Sequence, residues 1–204
     1  MKKLNINILL IFLFIPYLSF AQVDLNIGEI GIGGNGCPAG SVYATNLFND
    51  QNSSELTLHF DNYVAETGPI NGKTLDRKSC NLAIPVSVPN GFSVSLVAID
   101  FLGFTDLPSK TATAKFSAEY FLAGQKTGIK SITNLKGPTT RIFKTNKLIA
   151  LESQVESKCN EATIFRINTN ILLKNKSGKN AVVMIDHADL KSGIVFKLNY
   201  KKCQ

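Results

Sequence analysis

Five stretches of this chain alternate apolar and polar side chains one for one. Successive side chains of a β-strand point to opposite faces, so this period specifies sheets with one buried and one wet face. Leu56, Leu58 and Phe60 alternate with Thr57, His59 and Asp61, and Phe92, Val94, Leu96 and Ala98 alternate with partly polar neighbours. Ala112, Ala114, Phe116, Ala118, Tyr120 and Leu122 oppose Thr113, Lys115, Ser117 and Glu119. Thr163, Phe165, Ile167, Thr169, Ile171 and Leu173 oppose Arg166, Asn168 and Asn170, and Ile194, Phe196, Leu198 and Tyr200 oppose Lys197, Asn199 and Lys201. Turn residues separate the runs at Thr67-Gly68-Pro69, Asn71-Gly72, Pro89-Asn90-Gly91, Lys136-Gly137-Pro138, Ser177-Gly178 and Ser192-Gly193. No stretch keeps a helical period over several turns; residues 106–110 can form one turn. About nine or ten strands so spaced predict an all-β fold, an antiparallel two-sheet β-sandwich or jelly-roll-like arrangement.

The N-terminus carries an export signal. Met1-Lys2-Lys3 is a short basic segment, residues 4–15 are mostly apolar, Pro16 breaks the run, and Ser19 and Ala21 are small residues at the −3 and −1 positions of a cleavage site. The run is too short and too broken for a membrane span. Residues 1–21 therefore read as a signal peptide, residues 22–36 as a glycine-rich lead-in that is flexible or tightly turning, and residues 37–204 as a single β-sandwich domain, secreted or periplasmic after cleavage near Ala21. Four cysteines remain in the mature chain, Cys37, Cys80, Cys159 and Cys203. An even number in an exported chain reads as two disulfides, and no C-x-x-C pair suggests zinc or redox chemistry. Of the three possible pairings, Cys37–Cys80 and Cys159–Cys203 are favoured because each closes a local segment of similar length.

The formal charge of +7 falls to +5 when Lys2 and Lys3 are removed with the signal. A basic balance favours anionic surfaces, but the lysines are spread along the chain and Arg77, Arg141 and Arg166 are its few arginines. Nucleic-acid sites concentrate Arg with interleaved aromatics, so nucleic acid is not expected as a partner.

Few residues suggest chemistry. Gly31-Ile32-Gly33-Gly34-Asn35-Gly36 has the glycines of a phosphate loop but no helix to follow it, and a Cys-anchored tight loop fits better. His59 and Asp61 lie two apart on a strand, and no nucleophile-elbow motif marks a serine for them. Asp186-His187-Ala188-Asp189 offers too few oxygens for Ca²⁺ and reads as a polar turn. His59, Asp61, Asp186 and His187 are thus weak polar-site candidates, and no catalytic residue, metal or cofactor is expected. Asp76-Arg77-Lys78 reads as a charged turn before a strand. Asp100 sits between apolar neighbours, where a buried carboxylate needs a partner; Arg77 is the candidate. Phe101, Phe104 and Phe121 read as core. The chain has no Trp, which lowers the expectation of a sugar-stacking platform, though Tyr43, Tyr63, Tyr120 and Tyr200 are available.

Taken in order, Gly33-Gly34-Asn35-Gly36-Cys37-Pro38-Ala39-Gly40-Ser41, Leu56 to Asp61, Arg77-Lys78-Ser79-Cys80-Asn81-Leu82, Val88-Pro89-Asn90-Gly91-Phe92, Asp100-Phe101-Leu102-Gly103-Phe104, Gly137-Pro138 and Cys203 resemble the secreted domain-of-unknown-function 4360 (DUF4360) family of fungi and bacteria. The resemblance covers about residues 33–203. Leu102 stands where the family commonly has Arg. It implies an exported β domain with two disulfides and brings no established activity. The functional expectation is a secreted, non-catalytic protein that binds a surface, a glycan or a partner protein; the alternative is a secreted hydrolase with an unrecognised site.

Overall fold

The computed structural model describes residues 25–50, 52–125, 128–149, 155–185 and 193–203. The export segment, Asp186 and His187 lie outside these. The described residues form strands β1 (Asn26–Ile27), β2 (Gly31–Gly33), β3 (Val42–Asp50), β4 (Ser53–Phe60), β5 (Val64–Thr67), β6 (Leu75–Ser87), β7 (Phe92–Leu107), β8 (Thr113–Leu122), β9 (Ile129–Lys136), β10 (Thr139–Leu148), β11 (Val155–Glu156), β12 (Thr163–Lys174), β13 (Ala181–Met184) and β14 (Ile194–Lys202). All five alternating stretches are strands, as their period requires.

Two antiparallel sheets make a sandwich. The six-stranded sheet runs β1-β6-β12-β8-β9, with β2 also on β6. The eight-stranded sheet runs β3-β4-β14-β7-β13-β5, with β10 and β11 also on β7. Their inner faces meet in one apolar layer. Phe101 of β7 packs edge-on to Phe116 of β8 at 5.0 Å between ring centroids, and Tyr120 of β8 packs edge-on to Phe196 of β14 at 5.8 Å. Leu58, Ile84, Ile99, Ile171 and Ile194 are fully buried between the sheets.

Four expectations change. Asp76-Arg77-Lys78 is part of strand β6, not a turn, because β6 pairs with β12 from Leu75 to Val86 and the inward Cys80, Leu82, Ile84 and Val86 hold it to the core. Phe101 is core, but Phe104 and Phe121 are half-buried on outer faces. The alternation of β7 changes phase at a bulge: Lys197 of β14 faces Ala98 while Leu198 faces Leu96, so Val97 is the extra residue. The lead-in is also more ordered than its glycines suggest, since Asn26–Ile27 and Gly31–Gly33 both pair with β6.

Candidate functional site

The residues singled out for chemistry do not converge. His59 lies half-buried on the outer face of β4, its ring stacked on exposed Tyr43 at 4.6 Å and 11°. Its Nε2 is 3.0 Å from Thr45 Oγ1. Asp61 is exposed just past the end of β4, where its backbone N–H donates to the Ser41 carbonyl. Neither carboxylate nor serine reaches the imidazole, so no relay is assembled there. Among the described residues, no group of three His, Cys, Asp or Glu side chains stands together as a metal site. No helix of the described residues is long and apolar enough to cross a membrane.

The proposed Arg77–Asp100 pair is not made. Arg77 is on β6 and Asp100 on β7, in different sheets, and each points away from the core that separates them. Asp100 is 8% exposed, buried by its own partners. Lys144 and Lys197 approach Oδ2 at 3.7 and 3.6 Å, and the Asn146 amide donates to Oδ1. The partners come from β10 and β14, which flank β7. Strand register, which the linear sequence does not display, selects them.

The glycine loop and β6 form a clamp. Cys37 bonds Cys80, and Cys159 bonds Cys203. Asn35 Oδ1 accepts from the backbone N–H of Ser79, and its amide donates to the Arg77 carbonyl. Gly34 has φ +118°, and a Cβ there would lie 2.2 Å from the Ser79 carbonyl oxygen. A Cβ on Gly36 would strike the Tyr63 ring at 2.4 Å. Beneath the clamp, Thr169 Oγ1 donates to the Cys80 carbonyl and lies 2.9 Å from the Tyr63 hydroxyl. Burial pushes the Tyr63 hydroxyl well above its ordinary pKa, and the Thr169 bond offsets this only in part.

The clamp holds one strand of an open trough. On the outer face of the six-stranded sheet, register sets Asn81 beside Asn168 beside Glu119 beside Lys130. The adjacent row is Ser79, Asn170, Ser117 and Ile132. These rows line a depression of about 360 Å³. The next rows, with Leu172, Lys115 and Asn134 and then Lys174, Thr113 and Lys136, continue it as a second depression of about 390 Å³. The side chains of Asn81, Asn168 and Asn170 make no hydrogen bond within the described residues. Asn is disfavoured in strands, so three free amides in the middle of two paired strands contribute little to the fold. They can offer paired donors and acceptors to a ligand with many hydroxyls. Sequence reading placed Asn168, Asn170 and Ser117 on wet faces but missed Ser79 and Asn81, and it could not show that the three strands lie side by side, because long-range register alone sets that.

A smaller cleft of about 200 Å³ opens at the end of the other sheet, lined by Glu66, Ile70, Asn71, Asp106, Asn180 and their neighbours. Glu66 and Asp106 face Val182 of β13 from the strands on either side. Asp106 Oδ1 accepts from Thr140 Oγ1 at 2.7 Å. Nothing in the linear order of residues marks these two carboxylates, 40 positions apart, as neighbours in one cleft.

Among solved structures, the chain is similar to the carbohydrate-binding module TmCBM61, determined with β-1,4-galactotriose, at 8% identity and a TM-score of 0.30, over 85% of this chain and 88% of that one. It is also similar to a chain of Broad Bean Stain Virus at 8% identity and a TM-score of 0.30, over 79% of this chain and 86% of that one. Scores this low carry no ligand position across. An "Uncharacterized secreted protein" of Arthroderma benhamiae is 28% identical over 181 residues, covering 88% of this chain and 72% of the relative. The two closed disulfides belong to an oxidising compartment, in keeping with that secreted relative, and the protein works outside the reducing cytoplasm. Residues 23–203 match the model of the domain of unknown function DUF4360, and the chain belongs to that family.

Proposed function

We propose that this protein is a secreted, non-catalytic binding protein whose ligand is a glycan lying along the outer face of the six-stranded sheet. The observation that carries the reading is the block of uncommitted Asn81, Asn168 and Asn170 amides beside Ser79 and Ser117 in the trough. Sugar hydroxyls both donate and accept, as an amide does. An open trough along strands suits a chain ligand better than a small molecule, which would sit in an enclosed pocket. The test is a glycan array followed by titration calorimetry with the Asn81→Ala/Asn168→Ala variant. These amides bond nothing in the protein, so the variant should keep its stability within about 0.5 kcal/mol and lose glycan affinity. Unchanged affinity for every glycan bound by the parent would overturn the reading.

A hydrolase reading has one specific observation behind it, the shared cleft of Glu66 and Asp106. Paired carboxylates are the machinery of glycosidic cleavage. It predicts turnover of a glycan abolished by Glu66→Gln, which reducing-end assays would detect. The trough is favoured because its three amides, Asn81, Asn168 and Asn170, are free while Asp106 is already bonded to Thr140.

A further inference from the structure

We propose that the glycan in the trough is polyanionic, a polysaccharide bearing carboxylate or sulfate groups; this rests on the reading of that face as a glycan site and adds its charge class. The outer face of the six-stranded sheet carries Arg77 on β6, Arg166 and Lys174 on β12, Lys115 on β8, and Lys130 and Lys136 on β9, all exposed. Glu119 is the acid among the residues of these strands on that face, and it is paired with Lys130 at 3.6 Å. The other five cations have no ion pair within the described residues. The opposite sheet differs: there Lys144 and Lys197 share the one carboxylate of Asp100, and Glu66 and Asp106 add further acids.

Spacing strengthens the case. Arg77 and Lys115 flank Leu172 in one row, and Lys174 and Lys136 flank Thr113 in the next. Each pair is separated by two strand spacings, about 10 Å. Arg166 lies one row beyond Asn168 at the other end of the amide block, on the same face of β12. Cations therefore bracket the amide block at both ends, which a neutral glycan would not require. A linear chain with repeated charges can meet both ends while its hydroxyls meet the amides. Nucleic acid fits less well. Its grooves add aromatic platforms for bases, and the aromatic on these strands' outer face is the half-buried Phe121 at one margin.

The test compares binding of polygalacturonate, alginate and dextran sulfate with that of uncharged dextran and laminarin, and of single-stranded DNA, by titration calorimetry. The expected result is that at least one acidic polysaccharide binds about tenfold or more tightly than the neutral ones, and that raising salt from about 0.05 M to about 0.5 M weakens it by a similar factor, as screening requires. Polygalacturonate and alginate against dextran sulfate distinguish carboxylate from sulfate as the recognised group. Lys115→Gln/Lys174→Gln should weaken acidic binding about tenfold, while Lys201→Gln on the opposite sheet should leave it unchanged. Equal binding of neutral and acidic glycans would overturn this proposal and leave the glycan reading standing. Equal binding of DNA would overturn it by reducing the effect to bulk charge. Loss of affinity in Lys201→Gln as large as in the double variant would do the same. Failure of every glycan, charged or neutral, would sink the glycan reading itself.

Discussion

Two buried tyrosines with different surroundings should respond oppositely to loss of the hydroxyl. Tyr63 shares its hydroxyl with Thr169 at 2.9 Å, whereas the Tyr120 hydroxyl is buried with no hydrogen-bond partner in the described structure. A buried polar atom left unpaired costs about 1–3 kcal/mol. Tyr120→Phe should therefore raise the melting temperature, and Tyr63→Phe should lower stability by about 1 kcal/mol; scanning calorimetry reads both. Burial also holds both hydroxyls well above their ordinary value of 10.0. Above about pH 10 the unfolded chain sheds these protons while the folded chain keeps them. The unfolded state then binds fewer protons, so stability declines as pH rises through the alkaline range. Replacing either tyrosine with Phe should flatten that decline in a urea melt series between pH 8 and about 11. An identical alkaline slope in all three proteins would refute the account.

Each strand shows a different limit on what its residues reveal. β4, β8, β12 and β14 were legible because each has one face in the core and one in water, so period two survives in the sequence. β10 was not: it is exposed on both faces except at Phe143 and half-buried Thr139 and Thr145, as a strand at the sheet edge should be. β6 was obscured by Pro85 and by the charged triplet at its start. The phase of β7 was legible only up to its bulge. The trough was half legible for the same kind of reason, since alternation fixes which face a residue takes but not which strand lies next to it. The two disulfides should also divide by element. Cys159–Cys203 fastens the last residues of β14 beside the turn after β11, where Ser157 and Asn160 bond back to Val94 and Phe92. Cys37–Cys80 fastens the loop that clamps Ser79. Serine replacement of either pair should cost about 4 kcal/mol. Hydrogen exchange should then show fraying at the end of β14 in the first case. In the second, the trough should lose glycan affinity at a temperature where the variant remains folded. Equal effects of both replacements on affinity would refute the division of roles.

At the scale of the whole molecule, charge is sorted by sheet. The six-stranded sheet presents cations that are largely unpaired, while on the other sheet Asp100 gathers Lys144 and Lys197 to itself. Net charge alone, spread evenly along the chain, concealed this sorting. Topology has a further effect. β14 lies between β4 and β7 in the middle of the larger sheet, and its register joins residues 194–199 to residues 53–58. Such distant pairing makes folding slow, on the order of milliseconds to seconds; stopped-flow refolding checks this, and a microsecond phase carrying the full amplitude would contradict it. A chain emerging N-terminus first can close the Cys37–Cys80 bridge early, but β4 and β7 have no strand between them until residue 194 has emerged. The larger sheet is therefore incomplete throughout passage across a membrane, leaving the polypeptide threadable for almost the entire crossing and postponing closure to the far side.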